Sequence, residues 1–278
     1  MTATPSHRAA VCGRPIAHSL SPVIHNAGFA AAGLSGWAYS SFECAEADLA
    51  ALVGGLGPEW AGLSLTMPLK EEGLRLAAVA TPVAVAIGAA NTLVRRDDGS
   101  WHADNTDVAG MVRVLRDAGL KPAPTVTVLG GGGTARAALA AATQLGASAV
   151  TVVTRRPDAL TELAPAAAAL GITMLGGSWE AGLEMMQADA VISTVPKGAA
   201  DHLAGRVAWR DGTVLFDAIY DPWPTPLAAD ALAHGVRVLS GLDLLLAQAL
   251  SQFEQFTGVT PAPEEAMRSA LLAAAAAR

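Results

Sequence analysis

Cysteine, aromatic residues and charge are all scarce in this chain, and each scarcity removes a class of protein. The 278 residues include two cysteines, Cys12 and Cys44. Their separation fits neither a zinc-ligand spacing nor a secreted disulfide framework, which points to a reducing compartment. Charged residues make up 15% of the chain and the net charge is −7. Such a surface lacks the clustered cations that displace counterions, so neither nucleic acid nor an anionic membrane is expected as a partner. No hydrophobic run is long enough to cross a bilayer, and residues 1–10 lack the unbroken apolar core of a signal peptide. A cytoplasmic protein is the expectation. His25, His102 and His234 have no metal-ligand spacing, and the six tryptophans read as packing residues rather than a cofactor cage. A monomer and a homodimer are both compatible with this composition.

Hydrophobic residues, in contrast, make up 52% of the chain, enough to bury the core of one large domain or two ordinary ones. Between residues 108 and 239, short β-branched runs alternate with alanine-rich stretches, the pattern of a parallel sheet covered by helices. Six runs read as strands: Val126–Leu129, Ala149–Val153, Ile172–Leu175, Ala190–Ser193, Val214–Asp217 and Val236–Leu239. They predict a doubly wound domain over 108–239. Residues 1–107 carry further candidate strands at Ala9–Cys12, Trp37–Phe42, Leu63–Thr66 and Asn91–Val94, but no glycine-rich phosphate loop. A separate α/β substrate domain is expected there. After Ser240 and Gly241 a helical pattern runs from Leu242 to Phe256 and closes at Gly258. Because six strands already complete the second sheet, residues 240–278 are expected to return to the first domain.

Val126–Leu129 leads directly into Gly130, Gly131, Gly132, Gly133, Thr134, Ala135 and Arg136, then a helix predicted over Ala137–Leu145 and ended by Gly146. Glycines let the backbone turn sharply and approach a pyrophosphate, while unpaired amides at the helix start face the anion. A merely flexible loop could have the same composition, but the flanking strand and helix are the context a dinucleotide site requires. No Gly-Lys-Ser/Thr follows, which excludes a nucleotide-hydrolase loop. An NAD site would place an acidic residue at the end of the next strand to accept the ribose hydroxyls. Here the chain reads Thr154-Arg155-Arg156, suited to the 2′-phosphate of NADP. The bland alternative is that these arginines cap a solvated turn.

The segment Gly13 to Asn26 ends a strand and starts a helix, with Ser21 a natural N-cap and Pro22 fitting the first turn. Ser19 and Ser21 beside exposed helix amides could hold a small carboxylate. Simple capping would occupy Ser21 and leave Ser19 without a task. Leu63 to Lys70 places Thr66 and a lysine after a strand expected to end at Pro68, and His102 to Asp107 carries Asp104 and Asp107 just before the second domain. A lone lysine or aspartate is usually a solvated surface charge, and spacing alone does not pair Lys70 with Asp107.

Together these segments resemble the shikimate dehydrogenases from one end of the chain to the other. The resemblance implies an N-terminal α/β substrate domain, a Rossmann-like NADP-binding domain, and interconversion of 3-dehydroshikimate and shikimate, a step toward chorismate, in a cleft between them. It implies Ser19 and Ser21 as ligands of the shikimate carboxylate, and Thr66 and Lys70 as part of the motif that carries the catalytic lysine. Gly88-Ala-Ala-Asn91-Thr92 resembles the segment whose asparagine binds ring hydroxyls, and Asp107 matches the aspartate paired with the lysine. Tyr220 and Gly241 match positions near nicotinamide and substrate, and Gln248 matches a glutamine that reaches shikimate from the C-terminal helix. The chain departs from the pattern at Ser64 and Thr154, where asparagine is common, at Asp243, where glycine is usual, and in Ser193-Thr-Val-Pro196. Two other readings remain: a quinate/shikimate dehydrogenase or related polyol enzyme using NAD, and a non-catalytic dinucleotide-binding sensor.

Overall fold

A computed structural model describes residues 5–179 and 182–278, so residues 1–4 of the expected first domain lie outside the described residues. The fold divides into two units, one formed by the chain up to Thr106 together with Leu245–Arg278, the other by Asp107–Leu244. Among the described residues no helix is long and apolar enough to cross a membrane.

The first unit contains, in chain order, β1 (His7–Gly13), α1 (Ser21–Ala31), β2 (Trp37–Glu43), α2 (Leu49–Gly54), β3 (Trp60–Leu65), α3 (Lys70–Leu76), β4 (Val79–Ala80), α4 (Pro82–Ile87), β5 (Thr92–Arg95) and β6 (Trp101–Asp104). They form a six-stranded sheet ordered β2-β1-β3-β5-β6-β4. β1 pairs parallel with both β2 and β3, while β5 runs antiparallel to β3 and β6. From Ala9 to Gly13 every residue of β1 is buried, as a strand covered on both faces must be. Leu63, Leu65, Leu69, Leu93 and Trp101 gather in one core against this sheet. β4 and β6 were not anticipated. Two residues of β4 give no periodicity to read, and the four of β6 alternate too briefly to stand out beside the Asp97–Gly99 turn.

The second unit follows with α5 (Thr106–Asp117), whose first residue still belongs to the first unit, then β7 (Val126–Leu129), α6 (Gly133–Gln144), β8 (Ala149–Thr154), α7 (Asp158–Leu170), β9 (Thr173–Ser178), α8 (Gly182–Met185), β10 (Ala190–Ser193), β11 (Val214–Asp217), α9 (Pro226–Ala233) and β12 (Arg237–Ser240). Its sheet is parallel throughout, ordered β12-β11-β10-β7-β8-β9. Strand order reverses between β7 and β10, the switch point at which doubly wound sheets bind ligands. The alanines of α6 explain how it lies against the sheet: Ala135, Ala137, Ala138, Ala140, Ala141 and Ala142 are all fully buried. The helix begins at Gly133, four residues before the predicted start, so the glycine turn is shorter than its composition suggests.

α10 (Gly241–Thr257) leaves the second unit after Leu244 and continues in the first, followed by α11 (Glu264–Ala276). α11 packs on α1, where the missing side chain of Gly28 leaves room for Met267.

Candidate functional site

β1 and β3 are parallel neighbours and end on the same edge of their sheet. Their exits are tied together, Thr66 N–H donating to Cys12 O at 3.0 Å and Arg14 N–H to Met67 O at 3.0 Å. A Cβ at Gly13 would stand 2.3 Å from Thr66 Cγ2, so only glycine lets the two exits pass this closely. Thr66 is thereby held beside the start of the Gly13–Ser21 loop.

At the end of that loop the capping expectation is corrected. Leu20, not Ser21, is the N-cap of α1, and no side chain caps it in the usual sense. Leu20 already has near-helical backbone angles (φ −88°, ψ −8°), so Ser21 falls inside the helix. Ser19 Oγ instead accepts the Ser21 N–H at 3.3 Å. Both hydroxyls remain at the amide-rich end of α1, with Ser21 buried and Ser19 half-buried.

β3 stops at Leu65, three residues short of Pro68, because Thr66–Leu69 closes a turn in which Leu69 N–H donates to Thr66 O at 2.8 Å. Lys70 is then the first residue of α3, half-buried, its carbonyl accepting the Ala90 N–H at 2.8 Å. The next residue but one on from Lys70's backbone partner is Thr92, and Asn91 between them is the best-held polar group of the region. Asn91 Oδ1 accepts from Thr106 N–H at 2.7 Å, Thr92 Oγ1 at 2.8 Å and Thr106 Oγ1 at 3.1 Å. Asp107 directly follows Thr106 as the second residue of α5 and is buried. Asp104 has a different task, since its carboxylate accepts from Thr81 Oγ1, the Asn105 N–H and Gln255 Nε2 at 2.8, 2.8 and 2.9 Å. It braces β6 against α4 and α10.

Gln248 lies buried on α10, its amide donating to Leu245 O at 2.8 Å. One turn further, on the same helix face, Gln252 reaches the Asn91 segment: Nε2 donates to Thr92 Oγ1 at 2.9 Å and to Asn91 O at 3.2 Å. Sequence reading missed Gln252. The available signal was a row of amides, Gln248, Gln252 and Gln255, spaced at i, i+4 and i+7 along one helix.

In the second unit the β7–α6 turn is cut to fit its neighbours at one end and left open at the other. Gly130 has φ +110°, and a Cβ there would stand 2.6 Å from Thr194 Oγ1; at Gly131 it would stand 2.5 Å from Ala159 Cβ. At Gly132 and Gly133 a Cβ would meet nothing within 4 Å. The first turn of α6 carries no acidic residue and no side-chain cap, and Gly132 and Gly133 at its start are exposed. A pyrophosphate fits such a cradle, which a side chain would otherwise enter.

Beside the end of β8 lies a cleft of about 490 Å³, lined by Thr154, Arg155, Gly176, Gly177 and Trp179 among others. Arg155 is exposed and lines this cleft. Arg156 does not share that role: its guanidinium forms a forked pair with the Glu162 carboxylate, at 3.2 and 2.9 Å. Thr154 Oγ1 is turned inward, bonding the N–H and carbonyl of Arg156 at 3.2 Å each. Of the two arginines expected to meet a 2′-phosphate, Arg156 is held in an ion pair with Glu162 and Arg155 lines the cleft.

Tyr220 and Gly241 come together further along this edge. A Cβ on Gly241 would strike Ala218 O at 2.2 Å and Tyr220 Cδ1 at 3.0 Å, and Gly241 N–H donates to Ile219 O at 3.3 Å. The loop that carries Tyr220 is held from behind by Asp217, which accepts from Thr225 Oγ1 at 2.7 Å and from the Ile219 N–H at 3.2 Å. Burial pushes the Asp217 carboxyl above its ordinary range.

Comparison with known proteins bears on both units. The sequence model of the shikimate dehydrogenase substrate binding domain matches residues 11–93, and that of the shikimate 5′-dehydrogenase C-terminal domain matches residues 241–272. A shikimate dehydrogenase (NADP(+)) of Moorella thermoacetica is 37% identical over 90% of this chain and 87% of its own. This chain is a member of the shikimate dehydrogenase family. Among solved members, shikimate dehydrogenase of Mycobacterium tuberculosis superposes with a TM-score of 0.87 at 45% identity, covering 96% of this chain and 99% of that one. The Thermus thermophilus enzyme, solved with NADP(H) and shikimate, superposes with a TM-score of 0.83 at 29% identity over 96% and 99%. The family resemblance and the α/β fold with a doubly wound second sheet, both expected from sequence, are thereby borne out.

Proposed function

We propose that this chain is an NADP-dependent shikimate dehydrogenase, reducing the C3 ketone of 3-dehydroshikimate reversibly to the hydroxyl of shikimate. The observation that carries the reading is the convergence, on one sheet edge of the first unit, of the α1 serines, Thr66 and a rigidly held Asn91, with Lys70 pinned by backbone to the same segment. Full-length relatives named for this activity support it. So do the open glycine turn and Arg155, which suit a phosphorylated dinucleotide.

Bound NADPH supplies the hydride. The chain's own residues have the remaining tasks. Ser19 and Ser21, with the amides at the start of α1, anchor the substrate carboxylate. Thr66, Asn91 and Gln248 bind the ring, and Tyr220 and Gly241 border the nicotinamide end. As the ketone accepts a hydride its oxygen gains negative charge, which must be met by a proton or a fixed positive charge. Lys70 is assigned that proton transfer, with Asp107 as its partner carboxylate; in the oxidation direction Lys70 serves as base. Asn91 and Thr106 link the two in the chain, since Ala90 bonds the Lys70 carbonyl and Asn91 holds the residue that precedes Asp107.

Two measurements test the reading. Turnover of shikimate and quinate, each with NADP and NAD, should be highest for shikimate with NADP; a preference for quinate or for NAD would replace the assignment, and no turnover with any pair would favour a sensor. Lys70→Ala should lower kcat by about 100- to 10,000-fold while leaving shikimate binding by calorimetry close to that of the parent.

A further inference from the structure

Behind Asn91 lies a chain of buried hydrogen bonds that runs in a single direction. Tyr39 O–H donates to Ser64 Oγ at 2.6 Å, and Ser64 O–H donates to Gln252 Oε1 at 2.7 Å. Gln252 Nε2 donates to Thr92 Oγ1 at 2.9 Å and to Asn91 O at 3.2 Å, and Thr92 O–H donates to Asn91 Oδ1 at 2.8 Å. Tyr39, Ser64, Gln252, Thr92 and Asn91 are each at most 5% exposed. Water therefore does not take the place of any link.

The direction is not a matter of choice, because backbone groups fix it at two points. A carbonyl only accepts, so the Gln252 atom facing Asn91 O is the nitrogen and its oxygen must face Ser64. Ser64 must then donate to Gln252, which leaves its lone pairs to accept from Tyr39. An N–H only donates, so the Asn91 atom facing Thr106 N–H is the oxygen. Both carboxamides are locked against flipping, and Asn91 makes no hydrogen bond through its amide nitrogen among the described residues.

We propose that Tyr39, Ser64 and Gln252 are positioning residues for the substrate site, a relay that acts with the Thr106 N–H to hold the Asn91 carboxamide as a pure donor. The inference rests on the functional reading above for the identity of the ligand, though not for the relay itself. A ligand oxygen at Asn91 must accept: a ring hydroxyl binds there through its lone pairs and sends its own hydrogen elsewhere. The relay also gives Ser64 a purpose at a position where a larger asparagine would stand between Tyr39 and Gln252.

The test uses the full chain, with steady-state kinetics on shikimate and NADP. Gln252→Met keeps the side-chain volume and removes both ends of the amide. It should raise the KM for shikimate roughly tenfold, the size of one net hydrogen bond, with kcat and the KM for NADP changing far less. In an Asn91→Ala background the same substitution should add almost nothing, since residues acting through one group are not additive. An unchanged shikimate KM in folded Gln252→Met, or full additivity with Asn91→Ala, overturns the proposal. Should Gln252→Met fail to fold, Tyr39→Phe keeps the ring and deletes only the donor, and a shikimate KM raised at constant NADP KM, or left unchanged, decides in the same way. The side-chain amide resonances of Asn91 give a ligand-free readout. They should shift in Gln252→Met and Tyr39→Phe even if the parent chain proves inactive on shikimate, an outcome that would refute the functional reading and not the relay; resonances that stay in place would refute the relay.

Discussion

His25 shows how much a single buried side chain can set. Its ring is fully buried, stacked on Tyr39 at a centroid distance of 4.2 Å and tilted against Phe29 and Phe256. Desolvation pushes its pKa down from 6.5 to about 3, so the folded protein keeps the ring neutral where the unfolded chain binds a proton. Its stabilising contribution is complete above about pH 6.5 and is lost as the pH falls toward 3, at up to ~1.4 kcal/mol per pH unit. Urea titrations between pH 6.5 and 5, above the range where carboxylates dominate, should show this slope in the parent and a flatter one in His25→Phe; equal slopes would rule out the assignment. A second residue-scale difference separates two adjacent arginines. Arg155 lines the cleft beside β8 and Arg156 is paired with Glu162. Arg155→Ala should therefore raise the KM for NADP by about 10- to 100-fold, the loss of a charge-assisted bond, and Arg156→Ala by much less. Equal effects would mean that the Glu162 pair opens when cofactor binds.

At the scale of elements, the β7–α6 turn separates glycines that the fold needs from glycines that the fold leaves unconstrained. Gly130 has a positive φ and a neighbour in the way, so Gly130→Ala should cost on the order of 1–3 kcal/mol in thermal or chemical unfolding. Gly132 has neither constraint. Gly132→Ala should leave stability within roughly 0.5 kcal/mol while weakening NADP binding in calorimetry, because the new methyl enters the pyrophosphate cradle. If Gly132→Ala bound NADP as the parent does, the cradle would have to lie elsewhere. The strand-turn-helix pattern was legible in the sequence because glycine and alanine carry backbone information in their own composition. The α1 cap was not, since Leu20 takes near-helical angles that no side-chain rule at Ser21 anticipates. Nor was the part played by Asp104, to which the sequence assigned no role and which accepts from Thr81, Asn105 and Gln255.

For the whole molecule, each unit has its own six-stranded sheet and its own core, and α10 is shared between them. Ligand protection should follow that division. In hydrogen exchange, shikimate alone should slow amides of α1, α3 and the Asn91 segment, and NADP alone should slow those of the Gly130–Gln144 turn and helix and of Thr154–Pro157. Protection by NADP confined to the first unit would contradict the assignment of the glycine turn.

Composition and local pattern determined the α/β class, the six parallel strands of the second sheet, the position of the glycine turn and the family, because each of these is written in short-range periodicity or contiguous motifs. Tertiary structure alone decided which polar residues touch. Gln252 stands 161 positions from Asn91 and 188 from Ser64, and no local rule links residues at that separation. Their hydrogen bonds exist because α10 continues in the first unit and buries Gln252 where water does not substitute, so a donor left without a protein acceptor there is costly.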